Sequence, residues 1–256
     1  MIHPSAIIDP SARLADSVTV EAYSVIGADV VIGENTWIGP HVVINGPSKI
    51  GAGNKIFQFS SIGEAPQDKK YAGERTTLEI GDNNIIREFV TLNRGTGDGL
   101  GKTVIGSNNL LMAYSHVAHD CVVGNDTIFA NAASLAGHVE VGDFATLGGF
   151  TSVHQFTRIG RQAFCGLGSV ITQDIPPFST AAGNRAKAVG INKEGLRRKG
   201  FSNELIRALH KSFRLLLKSK ATREEALSEL QPLIDQFAEV DEFARFVQES
   251  KRGIAR

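Results

Sequence analysis

The sequence predicts a mainly β fold: a parallel β-helix of hexapeptide repeats over residues 1–190 and a C-terminal α-helical domain over 191–256. Three observations carry that prediction. Aliphatic residues recur every six positions, small residues recur four positions after them, and the period stops where helical stripes with capping residues begin.

The period opens at Ile8 and runs through Leu14, Val20, Ile26, Ile32, Ile38, Ile44, Ile50, Ile56 and Ile62 without a miss. It resumes at Ile80, Ile86 and Leu92, and again from Ile105 to Ile171, giving 25 hexads. A period of six matches neither a 3.6-residue helix nor two-residue strand alternation. It suits a coil of short strands, each sending one aliphatic inward before a corner. Three hexads make an 18-residue coil, so the repeats build about eight coils, stacked at ~4.8 Å into a rod about 40 Å long. Gly commonly follows the aliphatic, as in IGADVVIGENTWIGP, and a tight corner is expected to favour it. Ser24, Ser115, Cys121 and Ala133 are small residues of the kind a narrow interior accepts.

Residues 64–79 (EAPQDKKYAGERTTLE) and 94–104 (RGTGDGLGKTV) break the register and are expected to project as loops, where function often resides. After Ile171 the segment QDIPPFSTAAGN reads as a turn region. Beyond it Ser202 can cap a helix whose stripe is Leu205, Ile206, Leu209, Phe213, Leu216 and Leu217. Thr222 with Glu225 forms a capping box for Ala226, Leu230, Leu233 and Phe237, and DEFARFVQES supplies a third helical segment.

Basic and acidic residues number 27 each, so net charge points to neither nucleic acid nor a membrane surface. The start of the chain lacks a secretory pattern and no apolar run is of bilayer length, which predicts a soluble cytoplasmic protein without a transmembrane segment. Cys121 and Cys165 are too few for a disulfide framework or a thiolate zinc site and read as small, reduced, buried residues.

Chemistry concentrates in AYSHVAHDC, residues 113–121. Val117, Leu135 and Val153 are spaced by 18 and so fall on one column of successive coils. His116 and His119 flank the first, His138 follows the second, and His154 and Gln155 follow the third, so four of seven histidines share a corner. An isolated corner histidine is most simply a solvated polar side chain, whereas four on one column mark a site. Two chemistries fit them: a neutral imidazole acting as general base, or three imidazoles holding zinc with a position open for water, as in trimeric carbonic anhydrases of this shape. A non-catalytic rigid spacer is a third reading. Between residues 185 and 220, eleven Lys or Arg face two acids, a local net of +9 in a neutral chain. Such a surface attracts a phosphorylated small molecule or an acidic protein; sparse stacking aromatics argue against nucleic acid.

The segments QFSSIGEAPQDKKYAGE, IREFVTLNRGT, NNLLMAYSHVAHDC, SLAGHVEVGDFA, GGFTSVHQF and NKEGLRRKGFS, in this order, closely resemble the UDP-N-acetylglucosamine O-acyltransferase family of lipid A biosynthesis, over the whole chain. The resemblance implies a left-handed β-helix, a soluble homotrimer with active sites between subunits, and no cofactor or metal. It also implies transfer of a 3-hydroxyacyl group from acyl carrier protein, an acidic protein, to the glucosamine 3-hydroxyl of UDP-N-acetylglucosamine. By position, His119 resembles the general base, Asp120 the residue that orients it, and the Gly137 N–H the oxyanion donor. His116, His138, His154 and Gln155 resemble the surrounding substrate-positioning set. Gln67, Asp68 and Lys70 resemble residues reaching substrate across a subunit boundary, and Asn192, Glu194 and Arg198 the uridine-diphosphate contacts. Lys199 stands where relatives often have arginine, which removes a bidentate fork. Asn93 replaces a usual histidine and is given no catalytic role. Leu167 occupies the position of an acyl-length ruler and predicts a shorter chain than a glycine there would admit. The related glucosamine N-acyltransferases carry an N-terminal domain, for which hexads starting at Ile8 leave no room.

Overall fold

The computed structural model describes all 256 residues. Each aliphatic of the six-residue period sits in one of the first 25 strands, most only two residues long, and from Val20 onward every one is buried. Pairing is parallel through this part at a spacing of 18 wherever no loop intervenes, so that Val117 lies beside Leu135 and Leu135 beside Val153, and it widens to 30 and 25 across the two loops, as in Ile62 with Leu92 and Ile80 with Ile105. The strands sort into three sheets of nine, eight and ten, each recruiting every third strand over the first 25, so this part of the molecule is a triangular prism with three corner columns. The first corner joins the nine-stranded to the eight-stranded sheet, the second joins the eight- to the ten-stranded sheet, and the third closes the triangle.

Two residues per hexad face inward, the aliphatic and the small residue two places before the next one. Stacked isoleucines from Ile26 to Ile62 fill the lower interior, each worth about 1.5–3 kcal/mol of burial. Where the small residue is polar it is bonded along the prism axis: Asn84 N–H donates to Asn54 Oδ1 at 2.9 Å, Asn109 N–H to Asn84 Oδ1 at 2.9 Å, and Thr127 N–H to Asn109 Oδ1 at 2.7 Å. That ladder satisfies buried amides that would otherwise be costly.

Glycines after the aliphatic are explained by layer contact rather than by a tight corner. A Cβ on Gly33 would lie 2.7 Å from the Gly51 carbonyl carbon of the next coil, and one on Gly148 2.7 Å from the Cys165 oxygen. The left-handed backbone falls two positions later, on non-glycine residues such as Tyr23, His41, Phe59, Phe89 and Tyr114 at the third corner, with φ between 56° and 65°. Their rings stack coil on coil at 4.8–5.4 Å, which offsets the local backbone cost.

Both breaks in register emerge from the first corner. They are narrower than 64–79 and 94–104, because Thr77–Ile80 and Lys102–Ile105 pair over four residues; the loops proper are 65–76 and 94–101. Asn93 is buried at their base and donates to the Ala65 carbonyl at 3.0 Å, joining the two loops.

The ten-stranded sheet ends in an antiparallel hairpin, Ser179–Ala182 with Lys187–Ile191, so the β part extends one residue past 190. Helices α1 (Lys193–Arg198), α2 (Asn203–Phe213), α3 (Arg223–Gln236) and α4 (Ala238–Glu249) follow. Ser202 accepts the Leu205 N–H at 3.1 Å, and Thr222 and Glu225 form the reciprocal box. Leu196, Leu209, Phe213, Leu230 and Phe243 make a second core that takes in Phe178 from the end of the prism. The final segment returns to the prism, where Ala255 joins the first core. No helix is long and apolar enough to cross a membrane.

Candidate active site

His119 and Asp120 occupy the turn of the first corner, after the strand His116–Val117. Consecutive residues on a strand point to opposite faces. Here Asp120 has φ 59°, and the reversal brings its carboxylate back to its neighbour: His119 Nδ1 lies 2.8 Å from Asp120 Oδ2.

Asp120 is fully buried and its oxygens are taken up by the loop above it. The Thr96 hydroxyl donates at 2.6 Å, the Thr96 N–H at 3.1 Å and the Leu100 N–H at 2.9 Å, while the Asp120 N–H donates to Thr103 Oγ1 at 2.8 Å. Burial alone would raise the Asp120 carboxyl above its ordinary value, but hydrogen bonds from Thr96 and His119 outweigh it and hold it below. An ionised carboxylate only accepts, so His119 Nδ1 carries the proton and Nε2 offers a lone pair. Gly99 permits the loop to close, because a Cβ there would overlap the Asp120 carboxylate.

The other face of the imidazole meets Gly137 on the next coil, where a Cβ would lie 2.5 Å from His119 Cε1 and 2.7 Å from Nε2. The Gly137 N–H has no protein acceptor. That holds for the same turn position on many coils, so what singles out Gly137 is backbone left bare beside the ring. His138 follows, edge-on to His119 at 5.1 Å and stacked on Phe156 at 4.4 Å. Burial lowers the His138 imidazole below its ordinary value, with Asp120 opposing the shift. Burial, reinforced by the charge of His119, also lowers His116, whose Nδ1 lies 2.7 Å from Thr91 Oγ1.

The four histidines do not converge as a metal site. The three residues whose ligand atoms come within 4.8 Å of one another are His119, Asp120 and His138, and the Asp120 oxygens are already committed to donors. His154 is exposed and lies against Arg252, Nδ1 to Nη2 2.7 Å, with Gln155 beside it at the turn.

The remaining sequence-predicted residues divide among the corners. Gln67, Asp68 and Lys70 ride the longer loop of the first corner, with Asp68 close enough to act on His138 of its own chain. Asn192, Glu194, Arg198 and Lys199 line a cleft at the second corner: Asn192 Nδ2 donates to Gln162 O at 3.1 Å, and Lys199 Nζ sits 4.3 Å over the Phe144 ring. Glu194 is paired with Arg197 at 2.9 Å. Leu167 is at the third corner, 76% exposed. Within one chain these groups cannot meet.

Sequence reading missed Thr96, Gly99, Leu100, Thr103, Phe156 and Arg252. The available signal was the excess length of the 94–101 loop one coil before His119, which announces a projection beside that corner but not what it docks on. Both cysteines are free and buried, with thiols pushed up to about 12 by desolvation, so neither offers a thiolate.

Comparison with known proteins supplies relatives over the full length. A family model described as UDP N-acetylglucosamine O-acyltransferase, domain 2, matches residues 174–255, and bacterial transferase hexapeptide repeats match 29–56 and 102–137. The acyl-(acyl-carrier-protein) UDP-N-acetylglucosamine O-acyltransferase of Thiobacillus denitrificans is 54% identical over 255 residues, spanning 100% of this chain and 99% of its own. That of Alkalilimnicola ehrlichii is 56% identical over 255 residues with the same coverage. The crystal structure of UDP-N-acetylglucosamine O-acyltransferase from Moraxella catarrhalis superposes with a TM-score of 0.97 at 48% identity, covering 100% of this chain and 99% of that one.

Proposed function

Because the chain belongs to the UDP-N-acetylglucosamine O-acyltransferase family and is an acyltransferase, we propose that it moves a 3-hydroxyacyl chain from acyl carrier protein to the glucosamine 3-hydroxyl of UDP-N-acetylglucosamine, the first step of lipid A biosynthesis. The observation that carries the mechanism is the His119–Asp120 pair held by Thr96 and Leu100 against the bare backbone of Gly137.

His119 Nε2 accepts the proton of the sugar 3-hydroxyl as its oxygen attacks the thioester carbonyl, and Asp120 stabilises the imidazolium that forms. The carbonyl oxygen gains the negative charge and takes the Gly137 N–H, a fixed donor that needs no reorganisation. Collapse breaks the carbon–sulfur bond, and the proton on His119 goes to the leaving thiolate, giving an ester and a free carrier thiol. No acyl-enzyme is needed, which suits a site without a thiolate or activated serine. His116 and His138, kept neutral by burial, hydrogen-bond substrate without adding charge.

Nucleotide contacts at the second corner, the base at the first and Leu167 at the third combine if copies of the chain pack side by side. A homotrimer with sites between subunits is the assembly this reading requires. The face formed by Arg207, His210 and Lys211 of α2 with Arg214 and Lys218 of the π-helical turn that continues it suits an acidic carrier. Two free thiols fit the cytoplasm.

The test is turnover of UDP-N-acetylglucosamine with a series of 3-hydroxyacyl carrier donors. Replacing His119 by Ala is expected to lower kcat by about 10²–10⁴. Full turnover in that variant would sink the base assignment, and stoichiometric zinc whose removal abolishes activity would sink the metal-free mechanism.

A further inference from the structure

A second charged cavity opens at the upper end of the first corner and is not used by the mechanism above. It measures about 540 Å³, and its ionisable lining is His154, Arg185, Lys187, Arg252 and Arg256, with no acidic side chain among the lining residues. Arg185, Lys187 and Arg252, gathered without an acidic side chain between them, repel one another and favour an anion. The acids in the adjoining cavity are engaged elsewhere: Glu140 and Glu249 flank Arg158, and Asp174 accepts the Arg158 N–H at 2.8 Å and the Ser250 hydroxyl at 2.7 Å.

Arg252 is fixed from three sides. Its Nε donates to the Thr172 carbonyl at 3.0 Å, its Nη2 meets His154 Nδ1 at 2.7 Å, and the tail bearing it is bonded to Asp174 through the Gly253 carbonyl and the Ala255 N–H. A guanidinium only donates, so His154 Nδ1 accepts and its proton lies on Nε2. The Gln155 carbonyl, 3.2 Å from the same Nδ1, therefore cannot be its partner at the same time. The arrangement presents two oriented donors, the His154 Nε2–H and the free edge of Arg252, beside the exposed cations of Arg185 and Lys187.

Arg252 also lines the neighbouring cavity with His138 and Phe156, so the cations continue into the catalytic corner. His154 lies one coil above Ala136, on the order of 5 Å along the prism axis. We infer that this cavity is a phosphate seat for a substrate whose reacting group lies at His119 and Gly137. The inference rests on the acyltransferase reading for the ligand's identity. Two phosphates meet the chemistry: the phosphodiester of the pantetheine arm that carries the thioester, and the diphosphate of the nucleotide sugar.

The experiment compares wild type, the double variant Arg185→Gln, Lys187→Gln, and Arg252→Lys. Steady-state kinetics are run against each substrate, and binding of inorganic pyrophosphate is measured by calorimetry. The expected result is a KM rise of about tenfold or more, carried by KM rather than kcat, with pyrophosphate weakened by a similar factor. A rise in the acyl-carrier KM assigns the seat to the pantetheine phosphate, and a rise in the nucleotide-sugar KM assigns it to the diphosphate. Unchanged KM for both substrates together with unchanged pyrophosphate affinity overturns the inference. Absence of turnover in wild type would instead sink the proposed function, while pyrophosphate binding still decides whether the seat exists.

Discussion

His119, Asp120 and Gly137 form a unit in which each residue's chemistry depends on the next. The carboxylate is ionised because Thr96 and His119 donate to it, the imidazole is aimed because the carboxylate accepts, and the ring has room because position 137 has no side chain. Gly137→Ala therefore displaces His119 without removing any titratable group. It is expected to lower kcat by about 10²-fold, since a misplacement near 1 Å costs that much, and stopped-assay product measurement at saturating substrate checks it. The ruler role proposed for Leu167 is one of volume. A single chain leaves this side chain exposed, so it can limit chain length only where a neighbouring copy makes the wall of an acyl groove. Leu167→Gly is expected to shift donor preference to longer chains; an unchanged preference across the donor series would remove its ruler role. Of these residues, His119 was legible from spacing as a member of the histidine column, because hexads convert sequence distance into a column, while the family resemblance singled it out as the base. The Asp120 geometry was not, since it depends on a positive φ that no residue type announces.

Among the elements, the 94–101 loop decides most for its size. It is an insertion in the repeat, and its backbone N–H groups at Thr96 and Leu100 close over Asp120. Gly99→Ala would drive a methyl into the carboxylate, so the loop must lift and release the donors that keep Asp120 ionised. The expected outcome is a large fall in kcat with little change in thermal midpoint, because the loop sits outside the stacked core. A fall in midpoint as large as that of a core truncation would show that the loop supports the fold instead. Its projection was readable from the missing aliphatics, whereas its docking partner was not, because a loop's contacts depend on the coil above it. The terminal segment gives the same lesson: RGIAR carries no periodic signal, yet Arg252 reaches His154 across 98 positions of sequence.

For the whole molecule, the proposed division of the site among three corners predicts complementation. Co-expressing His119→Ala with Arg198→Ala is expected to restore part of the activity each lacks alone, because some mixed assemblies pair an intact first corner with an intact second corner. No recovery in purified mixed oligomers would mean that each site is complete within one chain. Stability should also respond to acid with a defined sign. His116 and His138 are lowered by burial, so below the ordinary imidazole value of about 6.5 the unfolded chain binds protons that the native chain resists, and stability falls as pH drops. Asp120, also lowered, contributes stability above the ordinary carboxylate range of about 4 and loses it as pH falls further toward its native value. Urea midpoints from pH 8 to pH 5 should decline below about 6.5, and less steeply in His116→Asn; a flat profile would contradict the burial of these rings.

The sequence by itself determined the prism, its coil length, the histidine column and the helical caps, because each follows from a local period or a contact within four residues that every coil or helix repeats. Only the tertiary structure decided that glycines answer to the next coil rather than to the corner, that Thr96 and Leu100 hold Asp120, and that His119, the cleft of Asn192, Glu194, Arg198 and Lys199, and Leu167 stand on separate corners. Those features depend on which surfaces stacking brings face to face. A repeat fixes the distance between coils, but what an insertion or a returning tail lays over them is settled only when the whole chain is packed.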